Sequence, residues 1–348
     1  MLLREAGGTA PAVAPATSER DEQILARLLS SDQPQWAERA AVLRRRRVTP
    51  VRVAVAALVV IAMVVAGVAW QSWQSSPADA RTPALLHFSE ADLETVLTGQ
   101  GQPARQALLG LASDASAQPV VAGHGDQTVS SYGWYLDAAI DQNGTATTLL
   151  APMFTTTVLR PDGSMSSHEA RGRALDVHGN VIDGRYPPGG QVAGDDLPAG
   201  TFDANRAANL PRDPVALRNA LITAFAGEGA KLDPGDEATL LIQATMDLYQ
   251  REVISPDLAA ALWTALADEP SIVRLGTTTD RLGRPGVAVA APTGQVDAPG
   301  MLVLVISPKD GHLLEWDDVV ATVPQLGIDQ PAVIGFEAFL SSEWSSAS

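Results

Sequence analysis

The stretch Ser131-Tyr132-Gly133-Trp134-Tyr135-Leu136-Asp137-Ala138-Ala139-Ile140, followed by Asp141-Gln142-Asn143-Gly144, decides how this chain folds. Tyr132, Trp134, Leu136, Ala138 and Ile140 alternate with Ser131, Gly133, Tyr135 and Asp137. A period of two puts alternate side chains on opposite faces of a pleated strand, whereas a helix needs a period of 3.6. Asn-Gly accepts the positive φ of tight turns between antiparallel strands. Asn143-Gly144 therefore predicts a hairpin into a strand over 145–160, with Leu150, Phe154 and Val158 on one side. Pro161-Asp162-Gly163 turns the chain again, into a strand near 164–177.

Working outward, helical and strand patterns flank this meander. Helices are expected at Ser89 to Leu97 and Pro103 to Ala117. Residues 179–212 read as a long loop. Three helices follow. Asp213-Pro214 opens the first, which carries Leu217, Leu221 and Phe225 and stops at Gly227. Asp236 opens the second, with Leu241, Leu248 and Tyr249; Ser255-Pro256 opens the third, with Leu258, Leu262, Trp263 and Leu266 on one face. Strands are then expected at 271–279, 286–292, 300–307, 312–323 and 333–341, with Pro308-Lys309-Asp310-Gly311 as a hairpin between two of them. Strands, helices, then strands again predict an α+β fold: a curved antiparallel sheet with helices packed on one face.

Upstream lies a different kind of segment. Val53 to Trp70 is 18 residues without a charged or strongly polar side chain, enough for a helix of about 27 Å to cross a bilayer. Arg44, Arg45, Arg46, Arg47 and Arg52 precede it, while Gln71 to Glu90 hold only Arg81. That asymmetry puts the N-terminus in the cytoplasm, with Trp70 and Trp73 as anchors at the outer interface. The domain plan is a cytoplasmic segment over 1–52, a transmembrane helix over 53–70, a linker over 71–84 and an extracytoplasmic α+β domain over 85–348. Ala78-Asp79-Ala80 also has the form of a signal-peptidase site, though about 50 residues precede the apolar run. Within 18–43, a Ser18 cap and Ile24, Leu25, Leu28, Leu29, Trp36, Ala40 and Leu43 describe short amphipathic helices. They would lie on lipid or dock a cytoplasmic protein.

Charge narrows the functions. Residues 1–52 carry 9 Arg against 6 Asp and Glu, and the remainder carries 15 basic against 34 acidic residues, a net charge of −19 outside the membrane. So acidic a domain offers no basic stripe for nucleic acid. The absence of cysteine rules out disulfides, thiolate metal sites and a cysteine nucleophile.

Three stretches carry a resemblance: Leu210-Pro211-Arg212-Asp213-Pro214-Val215-Ala216-Leu217, Asp280-Arg281-Leu282-Gly283-Arg284-Pro285-Gly286-Val287-Ala288-Val289, and Pro308-Lys309-Asp310-Gly311-His312-Leu313-Leu314. From about Leu85 to Val323 the chain resembles an uncharacterised family of single-pass membrane proteins from high-GC Gram-positive (actinobacterial) bacteria. The order of elements also resembles the half-barrel of LolA-type lipoprotein carriers and of periplasmic sensors that regulate anti-sigma factors. The resemblance implies a cell-membrane location and a LolA-like extracytoplasmic domain, with a sigma factor as a candidate cytoplasmic partner.

Candidate chemistry is sparse. His87, His124, His168, His178 and His312 have no metal-ligand spacing and read as surface residues. Asp195-Asp196 and Asp317-Asp318 are carboxylate pairs in sequence, and Asp233-Pro234-Gly235-Asp236 reads as a turn and cap. No catalytic, metal or cofactor motif is recognised, so a non-enzymatic binding or sensor domain for a lipid or envelope component is expected. Trp134, Phe154 and Trp263 are the candidates for lining an apolar groove beneath the helices, and the same residues would serve as core. The alternative is an anti-sigma-like regulator acting through residues 18–43.

Overall fold

The structure is a computed structural model that describes residues 82–91, 93–97, 100–120, 123–140, 146–171, 191–192, 196–293, 299–323 and 328–345. The segments expected to be cytoplasmic and membrane-spanning, the arginines and tryptophans expected to orient the span, and nearly all of the expected linker lie outside these residues. Among the described residues no helix is long and apolar enough to cross a membrane.

The chain forms α1 (Leu93–Leu97), β1 (Gln102–Pro103), α2 (Arg105–Ser116), β2 (Asp126–Ile140), β3 (Ala146–Leu159), β4 (Met165–Arg171), β5 (Gln191–Val192) and β6 (Asp196–Leu197). It continues through α3 (Arg206–Asn209), α4 (Pro214–Ala226), α5 (Pro234–Arg251), α6 (Pro256–Ala267), β7 (Val273–Thr279), β8 (Pro285–Thr293), β9 (Gly300–Ile306), β10 (Leu313–Val320) and β11 (Ala332–Ser345). The strands make one antiparallel sheet in the order β1-β7-β8-β9-β10-β11-β2-β3-β4-β5, with β6 also paired to β4. Its two ends do not pair, so the sheet does not close into a barrel.

The meander pairs as expected: Ile140 faces Ala146 and Tyr132 faces Phe154 across β2 and β3. Residues 141–145, which hold the Asn-Gly turn, are outside the described residues. Gly163, at φ 78°, completes the next turn, in which the Arg160 amide donates to the Ser164 carbonyl over 2.9 Å. The long C-terminal strand β11 joins the two halves. It pairs with β10 on one side and with β2 on the other, Gly335 opposite Tyr135.

Helices α2, α4, α5 and α6 pack on one face against Val289, Ala291, Leu302, Leu304, Ile306, Leu313, Trp316 and Phe339. Proline at the first helical position opens α4, α5 and α6, where its missing N–H costs nothing. Asp213 caps α4 by accepting from the Ala216 amide at 2.8 Å. The cap of α5 is Asp233; Asp236 lies inside the first turn.

Two sequence expectations change. Residues 89–91 are not helical. The Ser89 amide donates to the Thr277 carbonyl over 3.0 Å and the Glu90 amide to the Leu275 carbonyl over 3.1 Å, so pairing to the β7 edge overrides the local helix preference. The interval 179–212 is not all loop either, since β5, β6 and α3 form within it.

Two-sided burial is the further finding. Phe88, Val96, Leu86, Leu93 and Leu97 cover the face opposite the helices, over Leu275, Ala288, Ala290, Met301, Val303, Val305, Leu314, Val333 and Phe336. All seven residues of β9, GMLVLVI, are buried, the continuous apolar run of a strand covered on both sides.

The β9–β10 hairpin is locked into the helical layer. Gly311, at φ 66°, accepts a hydrogen bond from Trp263 Nε1 at 2.7 Å, and a Cβ there would lie 2.5 Å from Ala115 Cβ and 2.8 Å from the Leu111 carbonyl oxygen. Gly283, at φ 81°, has open space around its Cβ position. Gly283→Ala should cost about 1 kcal/mol from backbone strain alone. Gly311→Ala should cost about 1–3 kcal/mol more, because overpacking adds to strain. Urea unfolding of both variants measures the difference, and equal losses would refute the close-approach account.

Candidate functional site

The β7–β8 turn builds a buried group of one arginine and two carboxylates. Asp280 Oδ1 accepts from the amides of Leu282, at 3.1 Å, and Arg284, at 2.7 Å. Arg284 bonds back to Asp280 and donates to the carbonyls of Phe339, at 2.7 Å, and Leu314, at 2.9 Å. Pinned in this way, the turn presents Arg281 to the sheet face opposite the helices.

There Arg281 meets two carboxylates of β10. Its backbone amide donates to Glu315 Oε2 at 2.8 Å, and Nη1 pairs with Glu315 Oε1 and, at 2.8 Å, with Asp317 Oδ1. Its Nη2 donates to the Ala84 carbonyl at 2.9 Å, and the guanidinium carbon stands 4.1 Å from the centre of the Phe336 ring. The side chains of Glu315 and Asp317 are 0% and 1% exposed and that of Arg281 13%, so bulk water does little screening. Burial pushes the Glu315 carboxyl up to about 8, with the Asp317 charge adding to the rise and Arg281 opposing it. Burial also raises Asp317, against the pull of Arg281 and Glu315. One cation facing two acids is neutral only while the pair retains one proton.

The described residues from Ala84 to Leu97 form a strap that runs along β7 and meets Arg281 through the Ala84 carbonyl. Thr278 Oγ1 donates to the His87 carbonyl at 2.8 Å, Ser89 Oγ accepts from the Thr277 amide at 2.8 Å, and Arg274 Nη2 donates to Glu90 at 2.6 Å. Its Phe88 and Val96 are buried. Between the strap and the β1–β7 edge lies a cavity of about 390 Å³, lined by Glu90, Ala91, Val96, Gln100, Gly101, Gln102 and Arg274.

The structure separates the three expected groove residues. Trp263 is fully buried between helices and sheet, stacked on Tyr249 with ring centroids 6.1 Å apart. Trp134 and Phe154 belong to the opposite face. Phe154 packs on Tyr132 at 4.7 Å, Tyr132 meets Phe336 edge-on at 5.9 Å, and Trp134 Nε1 donates to the Tyr132 hydroxyl. All three of Tyr132, Trp134 and Phe154 are half-buried. Apolar side chains fill the space beneath α2 and α6, so the half-open aromatic strip lies on the strap's face rather than beneath the helices.

The Asp317-Asp318 pair divides across the sheet. Asp317 joins Arg281, whereas Asp318 shares its face with Trp316 on the helix side, where burial pushes its carboxyl up to about 7. The helix side also holds Glu337, which accepts from Ser131, Tyr135, Gln250 and Trp316 and is fully partnered. Asp196 is exposed on β6, and Asp195 and His178 lie outside the described residues. His312 is not a free surface residue. Its ring meets Tyr249 edge-on at 5.2 Å, and burial pushes its pKa down.

Sequence reasoning named Asp317 only as a pair with Asp318 and Arg281 only within a motif, and it passed over Glu315. The signal was available in the β10 sequence LLEWDDVV, where acids interrupt an apolar strand on alternate positions. The stretches behind the family resemblance serve as joints. Arg212 donates to the Ala207 and Leu210 carbonyls and to Asp257, Arg281 and Arg284 build the turn above, and Gly311 meets α2.

Replacing Arg281 with Met leaves two buried acids without their cation and should cost about 3–5 kcal/mol at neutral pH. Chemical unfolding measures this, and a loss below 1 kcal/mol would show that the cluster is wetter than described. For His312 the folded pKa lies below the ordinary 6.5, so its contribution is complete above that value and is lost as pH falls. The domain should therefore lose stability on acidification below about 6.5, and His312→Gln should flatten that limb in thermal melts at stepped pH.

No protein-family model matches the sequence, and no curated protein matches it.

Proposed function

We propose that this chain is a membrane-anchored extracytoplasmic binding or sensor domain for a lipid or envelope component. In this reading it belongs to the actinobacterial single-pass family, with a sheet curved into a LolA-like half-barrel and a span over residues 53–70. The observation that carries the reading is the sharing of one sheet face by three features. These are the strap that leads back to the membrane anchor, a half-buried aromatic strip of Tyr132, Trp134 and Phe154, and the cavity edged by strap residues.

Physical chemistry supports each part. Half-buried aromatics on a sheet offer apolar area with a polar rim, which suits an acyl chain or an apolar peptide. Four register shifts, at Arg274/Gly276, Leu313/Glu315, Asp318/Val319 and Phe339/Ser341, mark bulges of the kind that bend strands and favour a curved sheet. A 14-residue linker reaches at most about 50 Å, so the domain stays close to the lipid it would sample. A ligand on this face touches the segment joined to the anchor, and binding can thereby reach across the membrane.

The test is native mass spectrometry of residues 84–348. The expected result is a reproducible added mass that yields lipid on extraction, reduced at least several-fold in a Trp134→Ala/Phe154→Ala double variant. A clean apo mass after expression in a membrane-rich host would overturn the lipid reading.

A further inference from the structure

We propose that the Arg281–Glu315–Asp317 cluster is a proton-operated latch for the strap, holding residues 84–97 on the sheet while the cluster keeps a proton and freeing them when it is lost. The inference rests on the sensor reading above and names its regulation. Three observations carry it.

First, the stoichiometry is wrong for a plain ion pair. Glu315 and Asp317 are both buried and both bonded to the same guanidinium nitrogen, so full ionisation leaves one uncompensated negative charge in a dry site. Second, among the described residues no other charge facing the cluster supplies the missing cation. In the turn, Arg284 is committed to Asp280. In the strap, Glu90 is committed to Arg274, and His87 is exposed, its carbonyl bonded to Thr278. On β10, Asp318 points to the helix side and its charge disfavours ionisation of Asp317. On β11, Glu337 also belongs to the helix side. Third, the strap meets the site. Arg281 Nη2 bonds to the Ala84 carbonyl, and Phe88 lies in the same apolar cluster as Leu314 and Phe336, the ring beneath the guanidinium.

Lifting the strap admits water, returns the carboxyls to ordinary acidity and releases a proton. By linkage, the closed form is favoured at low pH. The opening equilibrium grows as pH rises from the ordinary carboxylate range to the raised value of Glu315, about 8, and levels above it. Acid clamps the strap and alkalinity frees it, so envelope pH biases how strongly a ligand on this face couples to the anchor.

The experiment is amide hydrogen exchange with mass spectrometry on the full chain in detergent micelles, between about pH 5 and about pH 9. Protection factors of peptides spanning 84–97 are corrected for the intrinsic pH dependence of exchange. In the unmodified chain, strap protection should fall tenfold or more between about pH 5 and about pH 8 and then level, while peptides of α6 keep theirs. In Glu315→Gln the strap should stay protected across the range. Strap protection that is flat with pH in the unmodified chain overturns the latch, as does an undiminished pH dependence in Glu315→Gln. Should α6 lose protection in that variant, Asp317→Asn replaces it under the same criteria. No ligand is needed, so a clean apo mass in the binding test leaves this result standing, and a flat profile leaves the binding test standing.

Discussion

Burial of β8, β9, β10 and the first half of β11 on both faces is the constraint on which the rest of the structure depends. A sheet covered by helices on one side alone could leave alternate side chains polar and wet. Here Ala288, Ala290, Met301, Val303, Val305 and Val333 face away from the helices and are all buried. The short strap, with Phe88 and Val96 inward, covers them. At roughly 25 cal/mol for each Å² of apolar surface removed from water, a handful of such side chains outweighs the entropy of ordering a few residues of strap. The strap is thus part of the core.

That cover makes the charges in β10 informative. Buried ionised groups cost several kcal/mol each unless paired, and a pair is often no better than an apolar replacement. Glu315 and Asp317 occupy positions where Val or Leu would pack well, on the sheet face that the strap shares. By contrast, Arg206 with Asp247 and Glu252, and Arg218 with Glu237 and Glu269, tie helices together where their arginines are about a third exposed. Those networks position elements. The β10 cluster differs in the deeper burial of its arginine, 13% exposed, and in reaching the strap.

Much of this was legible in residues. The period of two in Tyr132 to Ile140, the turns at Pro161-Asp162-Gly163 and Pro308 to Gly311, and the Asp-Pro and Ser-Pro helix openings all depend on local geometry, and the structure has strands, turns and helices there. Ser89 and Glu90 were misread because a pairing partner 185 to 188 residues away, on β7, overrode a weak local helix. Trp134, Phe154 and Trp263 were grouped by chemistry alone. Alternation assigns Trp134 and Phe154 to one face of the sheet, but nothing local says which face the helices will choose.

By itself, the sequence determined the α+β class, the antiparallel hairpins and the acidic character of the domain, because backbone periodicity, turn chemistry and composition are properties of neighbouring residues. The apolar run from Val53 to Trp70 and its arginine flank belong to the same kind of information. Only the tertiary structure decided that β11 would join β10 to β2, that the aromatic strip would face away from the helices, and that Arg281 would meet Glu315 and Asp317 under the strap. Those outcomes bring together residues 34 to more than 200 positions apart, and their energies arise from shared burial, which no local pattern encodes.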